Sequence, residues 1–295
     1  MKIFLKHFLQ KTYALVMFMT TILFCFTSLA NAAAPYKNKY IAYTDVGKGT
    51  PLVLIHAFPT DQQLWAPQQE ALKEYFRVIT LDLWGFGHSA SADGQAITMT
   101  AYADEIKQLL DDLHLSQAII AGESMGGYIA LAFLKKYPQQ VSGLILSDTQ
   151  SIADTEEAKV KREATAQDVL KHGTSELING FMTKALSVNA SAETKQILRH
   201  ILTTQKNTGI ASALRGMALR EETSAVLSQT NIPILILTGD KDALISPEQS
   251  QHMHALAKQS KLIIIANAGH LSNLEQAKAW NQAVVNSFAT TQVTK

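Results

Sequence analysis

Cysteine is nearly missing from this sequence. The single one, Cys25, lies in an N-terminal stretch that reads as a leader, so the chain after it has no disulfide, no thiolate metal site and no cysteine nucleophile. Cys25 follows Ile22-Leu23-Phe24 rather than small residues, which argues against a lipid-modified cysteine. A basic excess is lacking too. The formal net charge is +1, and three of the 26 Lys and Arg but none of the 25 Asp and Glu fall in residues 1–32. The remainder stands at −2, which leaves no electrostatic footprint for nucleic acid or for an anionic membrane surface. No H-E-x-x-H occurs, and no G-x-G-x-x-G follows a strand in dinucleotide-binding form. His252 and His254 stand two apart on a predicted helix, so their side chains diverge. Gly85-Phe86-Gly87 fits a tight loop. Neither a metal nor a cofactor is expected, and there is no internal repeat.

What is present begins with a targeting pattern. Met1 to Thr12 carries Lys2, Lys6 and Lys11, Tyr13 to Leu29 is almost wholly apolar, and Ala30-Asn31-Ala32 offers small residues at the −3 and −1 positions of a cleavage site. This layout predicts a secretory signal peptide over residues 1–32, and so an exported, periplasmic or secreted protein without stable membrane association. The alternative is an uncleaved N-terminal anchor, since a span needs about 17–25 apolar residues.

Beyond the leader, 47% hydrophobic and 17% charged residues describe an ordinary globular chain with a sizeable core. Two patterns alternate. Leu52–His56, Val78–Asp82, Ala118–Ala121, Leu144–Asp148, Ile234–Thr238 and Leu262–Ala266 read as buried strands, with a further N-terminal strand at Tyr40–Val46. Gln62–Tyr75, Met99–Leu113, Met125–Tyr137, Pro247–Lys258 and Asn273–Phe288 read as amphipathic helices. The alternation predicts an α/β fold, a mostly parallel central sheet with helices on both faces. From about Ser151 to Thr230 no strand is evident. That interval reads as helical, and the charge run Glu156 to Glu163 reads as a solvated helix face. The expected organisation is a leader (1–32), a core in two parts (33–150 and 231–295) and a helical insertion (151–230).

In a parallel sheet the carboxyl ends of the strands share one edge, where ligands gather. There the sequence places His56-Ala57-Phe58-Pro59, then Gly122-Glu123-Ser124-Met125-Gly126, then Asp240-Lys241-Asp242, then Gly269-His270. A serine, an acid and a histidine thus follow separate strands. A serine hydroxyl is a poor nucleophile until an imidazole takes its proton, and a carboxylate holds that imidazole in the right tautomer. G-x-S-x-G is a weak signal alone, but between a buried strand and a helix it makes a turn that exposes the hydroxyl. The Met125 N–H can donate to an oxyanion, with Phe58 N–H as the second donor. Asp242 is the expected acid, with Asp240 and Asp148 as rivals. His56 is expected to support its loop. Phe58, Trp65, Phe86 and Met125 are candidates to line an acyl or alcohol pocket, Trp65 being carried forward as a substrate contact.

These pieces, HAFPTDQQLW, DLWGFGHS, AGESMGG, GDKDALISPE and NAGHLSNLE, make the chain resemble the α/β-hydrolase superfamily. The H-x-F-P…W opening and Ala213–Ala218 resemble small carboxylesterases and 3-oxoadipate enol-lactonase-like enzymes. The resemblance implies Ser124 as nucleophile, Asp242 as acid, His270 as base, and the insertion as a helical cap over the pocket. Three positions depart from the pattern: Ala57 where glycine is usual, Trp84 where a basic residue or proline is frequent, and Glu123 before the nucleophile. Ala57 puts an extra methyl in the oxyanion loop. Glu123 either raises the pKa of His270 or points away and hydrogen-bonds. The expected activity is hydrolysis of a small ester or lactone through an acyl-enzyme. Alternatives are carbon–carbon bond hydrolysis or perhydrolysis on the same residues, or a ligand-binding protein with little turnover.

Overall fold

The computed structural model describes residues 41–289 and the backbone of a short strand at Tyr36–Lys37. The expected leader lies outside the described residues. Eight strands form one sheet: β1 (Tyr36–Lys37), β2 (Ala42–Gly47), β3 (Pro51–Ile55), β4 (Arg77–Asp82), β5 (Ala118–Glu123), β6 (Val141–Ser147), β7 (Ile234–Gly239) and β8 (Ser260–Ile265). Their order is β1-β2-β4-β3-β5-β6-β7-β8. The β1–β2 and β2–β4 pairings are antiparallel and the rest are parallel. Strand residues alternate between two cores. Val53, Ile55, Ile120 and Leu146 face one, and Leu52, Leu54, Ile119 and Ile145 face the other. Burial on both faces is why these strands read as continuous apolar runs rather than as alternating ones.

In chain order the helices begin with α1 (Ala66–Leu72), α2 (Met99–Asp112) and α3 (Met125–Lys136). Between β6 and β7 come α4 (Glu156–His172), α5 (Ser175–Ala185), α6 (Ala192–Thr203), α7 (Asn207–Ala218) and α8 (Ser224–Gln229). The chain ends with α9 (Pro247–Leu256), α10 (Ser272–Glu275) and α11 (Ala277–Phe288). Leu72 of α1 and Trp280 and Val284 of α11 cover one sheet face; α2, α3, α8 and α9 contribute to the core on the other. Helix α2 shows why such segments form. Tyr102, Ala103, Ile106, Leu109 and Leu110 make a buried stripe at helical spacing, and the Thr98 hydroxyl accepts the Ala101 N–H at 3.1 Å.

Two expected helices are divided. Gln62–Tyr75 is a 3-10 turn (Gln62–Trp65) followed by α1, because Pro67 in the first turn of α1 has no N–H with which to continue a helix from upstream. Asn273–Phe288 breaks at Gln276 (φ −124°, ψ 48°), and Glu275 reaches back to the Gly269 N–H at 2.7 Å.

The insertion has two halves. Ala166 and Val169 of α4 and Ile210, Leu214 and Met217 of α7 join the main core. By contrast, Ile178 and Ala185 of α5 and Leu198 and Leu202 of α6 form a separate cluster with Ala57, Leu64 and Leu271. The insertion is therefore tied to the loops at the carboxyl edge of the sheet. Gln205 donates to Asp61 at 2.9 Å and accepts from the Gly87 N–H at 3.1 Å, while Ser187 donates its N–H and hydroxyl to Glu275. A methyl on Gly209 would lie 2.0 Å from the Gly85 carbonyl oxygen, so only a glycine lets α7 approach the loop after β4 this closely.

Candidate active site

β5 turns directly into α3 at Ser124, whose backbone sits at φ 53° and ψ −113°, a region that non-glycine residues rarely occupy. The glycines on either side are sterically required. A Cβ on Gly122 would lie 2.1 Å from the Gly126 carbonyl oxygen, and one on Gly126 would lie 2.2 Å from that of Ile55. The turn is fixed by its hydrogen bonds. Ser124 N–H donates to Ser147 O at 2.9 Å, and the Thr149 hydroxyl donates to Ser124 O at 2.7 Å. Strain held in place by surrounding structure is typical of functional positions.

Two loops converge on this serine. His270, after β8, has Nε2 at 2.8 Å from Ser124 Oγ and Nδ1 at 2.8 Å from Asp242 Oδ2. Asp242, after β7, accepts the N–H groups of Leu244 and Ile245 on its other oxygen at 2.8 and 2.9 Å. A carboxylate only accepts, so Nδ1 carries the proton and Nε2 is free to accept from the serine hydroxyl. Both side chains are buried. Burial pulls the His270 pKa down, but the charge and hydrogen bond of Asp242, helped by Asp148, outweigh it and leave it raised.

The rival acids are placed elsewhere. Asp148 accepts the Gly239 N–H at 2.7 Å, the Ser272 N–H at 3.2 Å and the Ser272 hydroxyl. Asp240 accepts the Ala268 N–H at 3.3 Å and pairs with Lys241. Glu123 points inward from the end of β5. It is fully buried, with Ser147 and Asp148 beside its carboxyl group. Burial, and then the charge of Asp148, push its carboxyl well above the usual range. Of the two roles expected for Glu123, raising the His270 pKa falls to Asp242 and Asp148 instead, and the Glu123 carboxyl is turned toward Ser147 and Asp148.

The β3–β5 register sets Ile55 against Gly122, so the His56–Phe58 loop runs beside the serine. The Phe58 side chain lines the cavity with Ser124 and His270. Met125 is the first residue of α3, a position whose N–H has no partner within the helix. Ala57, with its extra methyl, is fully buried in the cluster with Leu64 and Leu271. His56 holds the loop: Nδ1 lies 2.9 Å from Ala57 O, and Nε2 accepts the Leu83 N–H at 3.0 Å. Burial lowers its pKa, which suits this neutral tautomer. Trp65 is not a substrate contact. It packs on Trp280, ring centroids 5.3 Å apart, in the core on the α1 and α11 face, because the turn before α1 points it at the sheet rather than at the cavity.

The cavity over Ser124 encloses about 370 Å³. Its walls include residues that sequence patterning did not single out: Tyr128, Gln150, Asp154 and Arg162. Arg162 Nε donates to Asp154 Oδ2 at 2.5 Å, and Arg220 pairs with Asp154 Oδ1 at 2.6 Å. The Arg220 guanidinium lies 4.2 Å from the Tyr128 ring centroid. Arg162 belongs to the run expected to be solvated. Glu157 and Lys161 are indeed exposed, yet Arg162 stands in line with buried Ala166 and Val169. That spacing, four and seven residues on, is the signal that would have found it.

A strand–serine–helix elbow, a hydrogen-bonded serine, histidine and aspartate, and an eight-stranded mostly parallel sheet meet in one chain. A family model for the alpha/beta hydrolase fold matches residues 50–277. The chain belongs to that family. Among solved structures, the hydrolase is similar to a thermophilic esterase from Thermogutta terrifontis, described in a malate-bound form. The two are 35% identical with a TM-score of 0.82, over 83% of this chain and 92% of that one. It is 26% identical to 3-oxoadipate enol-lactonase 1 of Acinetobacter baylyi over 78% of this chain and 85% of that protein. It is 30% identical to the dihydrolipoyllysine-residue acetyltransferase component of the acetoin cleaving system of Pseudomonas putida over 80% of this chain. The match spans 63% of that protein's length.

Proposed function

We propose that this hydrolase cleaves a small carboxylic ester or lactone through an acyl-enzyme on Ser124. The observation that carries the proposal is the continuous hydrogen-bond chain Ser124–His270–Asp242, with both links at 2.8 Å. Ser124 Oγ attacks the carbonyl carbon while its proton passes to His270 Nε2. Asp242 stabilises the imidazolium so formed. The oxyanion develops beside the N–H groups of Met125 and Phe58, the proposed donors. Collapse expels the alcohol, which takes the proton from His270. Water, deprotonated by the same nitrogen, then attacks the acyl carbon, releases the acid and restores Ser124. Every step runs on side chains of this chain, with no cofactor called upon. The likeness to an esterase and to an enol-lactonase supports ester or lactone chemistry over the other bond types this fold hosts. We also propose that residues 1–32 are a cleaved export leader, on the strength of their charge, apolar run and Ala-Asn-Ala site; N-terminal sequencing of the protein recovered from the producing cell would give a start at Ala33.

The direct test is a fluorophosphonate probe with the adduct located by mass spectrometry, beside turnover of short-chain 4-nitrophenyl esters. The expected adduct is on Ser124, and Ser124→Ala lowers kcat by about 10⁴-fold or more. An unlabelled Ser124 with no turnover in the wild-type chain would overturn the proposal.

A further inference from the structure

A second cavity adjoins the one over Ser124. It encloses about 380 Å³ between the start of α2, the flank of α3 and the segment after α7, and shares Tyr128 and Gln150 with the first. Tyr128 is therefore the wall between them. The second cavity has Lys135, Lys136 and Arg220 on its lining and Glu221 as its one acid.

The balance of these charges matters more than their number. Each lysine has a carboxylate of its own: Lys135 pairs with Glu221, and Lys136 with Asp104. Among the described residues, Arg162 and Arg220 share the one carboxylate of Asp154. Arg162 lines the first cavity and Arg220 the second, so the surplus positive charge straddles the shared wall. Arg220 is 4% exposed in its side chain; besides Asp154 it donates to Ile152 O at 3.1 Å and Met217 O at 3.4 Å, and its buried Nε has no partner among the described residues. A buried guanidinium that shares its one described counter-charge with a second arginine favours an added anion at the cavity wall, because an under-compensated buried charge is costly and a charged N–H bonds a carboxylate strongly.

We infer that the second cavity is a subsite for a carboxylate carried by the substrate at a distance from its scissile carbonyl. The ester or lactone carbonyl sits at Ser124, the intervening chain passes Tyr128 and Gln150, and the free carboxylate meets Arg220. The substrate class is then a monoester of a dicarboxylic acid, or an ester or lactone with an equivalent free carboxylate. This inference rests on the serine-hydrolase proposal, and the experiment separates the two.

Full-length protein is assayed with the 4-nitrophenyl monoesters of glutaric and suberic acids and with the matching neutral methyl diesters. For at least one chain length, the charged ester is expected to exceed its neutral partner in kcat/KM by about tenfold, the worth of a hydrogen bond to a charged group. That ratio should shrink as salt rises, and it should fall severalfold in Arg220→Gln and, through a blocked passage, in Tyr128→Trp. Equal kcat/KM for charged and neutral esters in a wild-type chain whose Ser124 is labelled would overturn the subsite and leave the hydrolase standing. If no ester turns over and Ser124 is not labelled, calorimetry with suberate decides independently of chemistry. Binding that weakens about tenfold in Arg220→Gln retains the subsite, and no binding to the wild-type chain overturns it.

Discussion

Two buried clusters of charge flank the Ser124–His270 pair, and they are built in opposite ways. Behind the imidazole gather three carboxyl groups, Glu123, Asp148 and Asp242, each at the end of a strand or in the loop after one. Across the cavity two guanidinium groups, Arg162 and Arg220, share the single carboxylate of Asp154. The first cluster favours positive charge on His270, the charge that the proposed mechanism places there. The second favours negative charge in the cavity. The acid cluster is supplied by the sheet edge, whose geometry the fold dictates. The cationic one is supplied by the helical insertion, the part of such a fold free to vary with substrate.

The largest expected effect separates the carboxyl groups of the acid cluster from one another. Asp242→Asn should lower ester kcat by about 10⁴-fold, since the amide cannot hold the Nδ1–H tautomer or the imidazolium. Asp148→Asn should cost far less, because its partners are Gly239 and Ser272 rather than the imidazole. The pH profile sharpens the distinction. His270 acts only when neutral and its pKa is raised, so kcat/KM should fall on the acid side with a midpoint above the ordinary 6.5, and Asp242→Asn should move that midpoint down. Equal losses in the two variants would break the division of labour between them.

A smaller effect probes the cationic cluster through stability. Asp154→Ala leaves the buried Arg220 and the partly exposed Arg162 without their shared counter-charge and should cost about 3 kcal/mol, read from the urea midpoint at unchanged slope. Arg162→Met should cost less, because it leaves Asp154 and Arg220 as a matched pair. If Arg162→Met proved the more damaging, the arginine pair would be a structural clamp on the insertion and not a surplus of charge.

How far each cluster was legible follows from where it lies. Ser124, Asp242 and His270 could be found because each follows an apolar run that reads as a strand, and the parallel sheet brings strand ends together whatever lies between them. Asp242 was already the expected acid, and the coordinates separate it from Asp148 and Asp240, which sit at the same edge but are turned to other partners. Trp65 was misplaced for a related reason: an aromatic beside the oxyanion loop reads the same whether it faces the cavity or Trp280. Arg162 was hidden because helical charge is normally solvated, Arg220 because it stands in a loop after α7, and their pairing with Asp154 depends on how the insertion packs. The close approach of Gly209 in α7 to Gly85 in the loop after β4 is likewise announced by no local pattern.

The smallest effect bears on Glu123, where the acid cluster differs most sharply from the cationic one. The arginine pair cannot relieve its crowding by losing protons, whereas three carboxyl groups can. Asp148 accepts from the Gly239 N–H and the Ser272 hydroxyl, bonds that favour its charged form, so the proton of the pair resides on Glu123. Burial and the charge of Asp148 raise its pKa in the folded chain well above that of an unfolded glutamate. Below the unfolded value both states hold the proton, and its contribution to stability is full. As pH rises through the window between the two values, the unfolded chain releases a proton that the folded chain keeps, and stability falls. Glu123→Gln mimics the protonated carboxyl in shape and cannot ionise. Its urea midpoint should match that of the wild type at about pH 4 and gain on it steadily toward about pH 8. Parallel curves for the two proteins across that range would mean that Glu123 is ionised when folded, and that a donor or a cation compensates it inside the acid cluster.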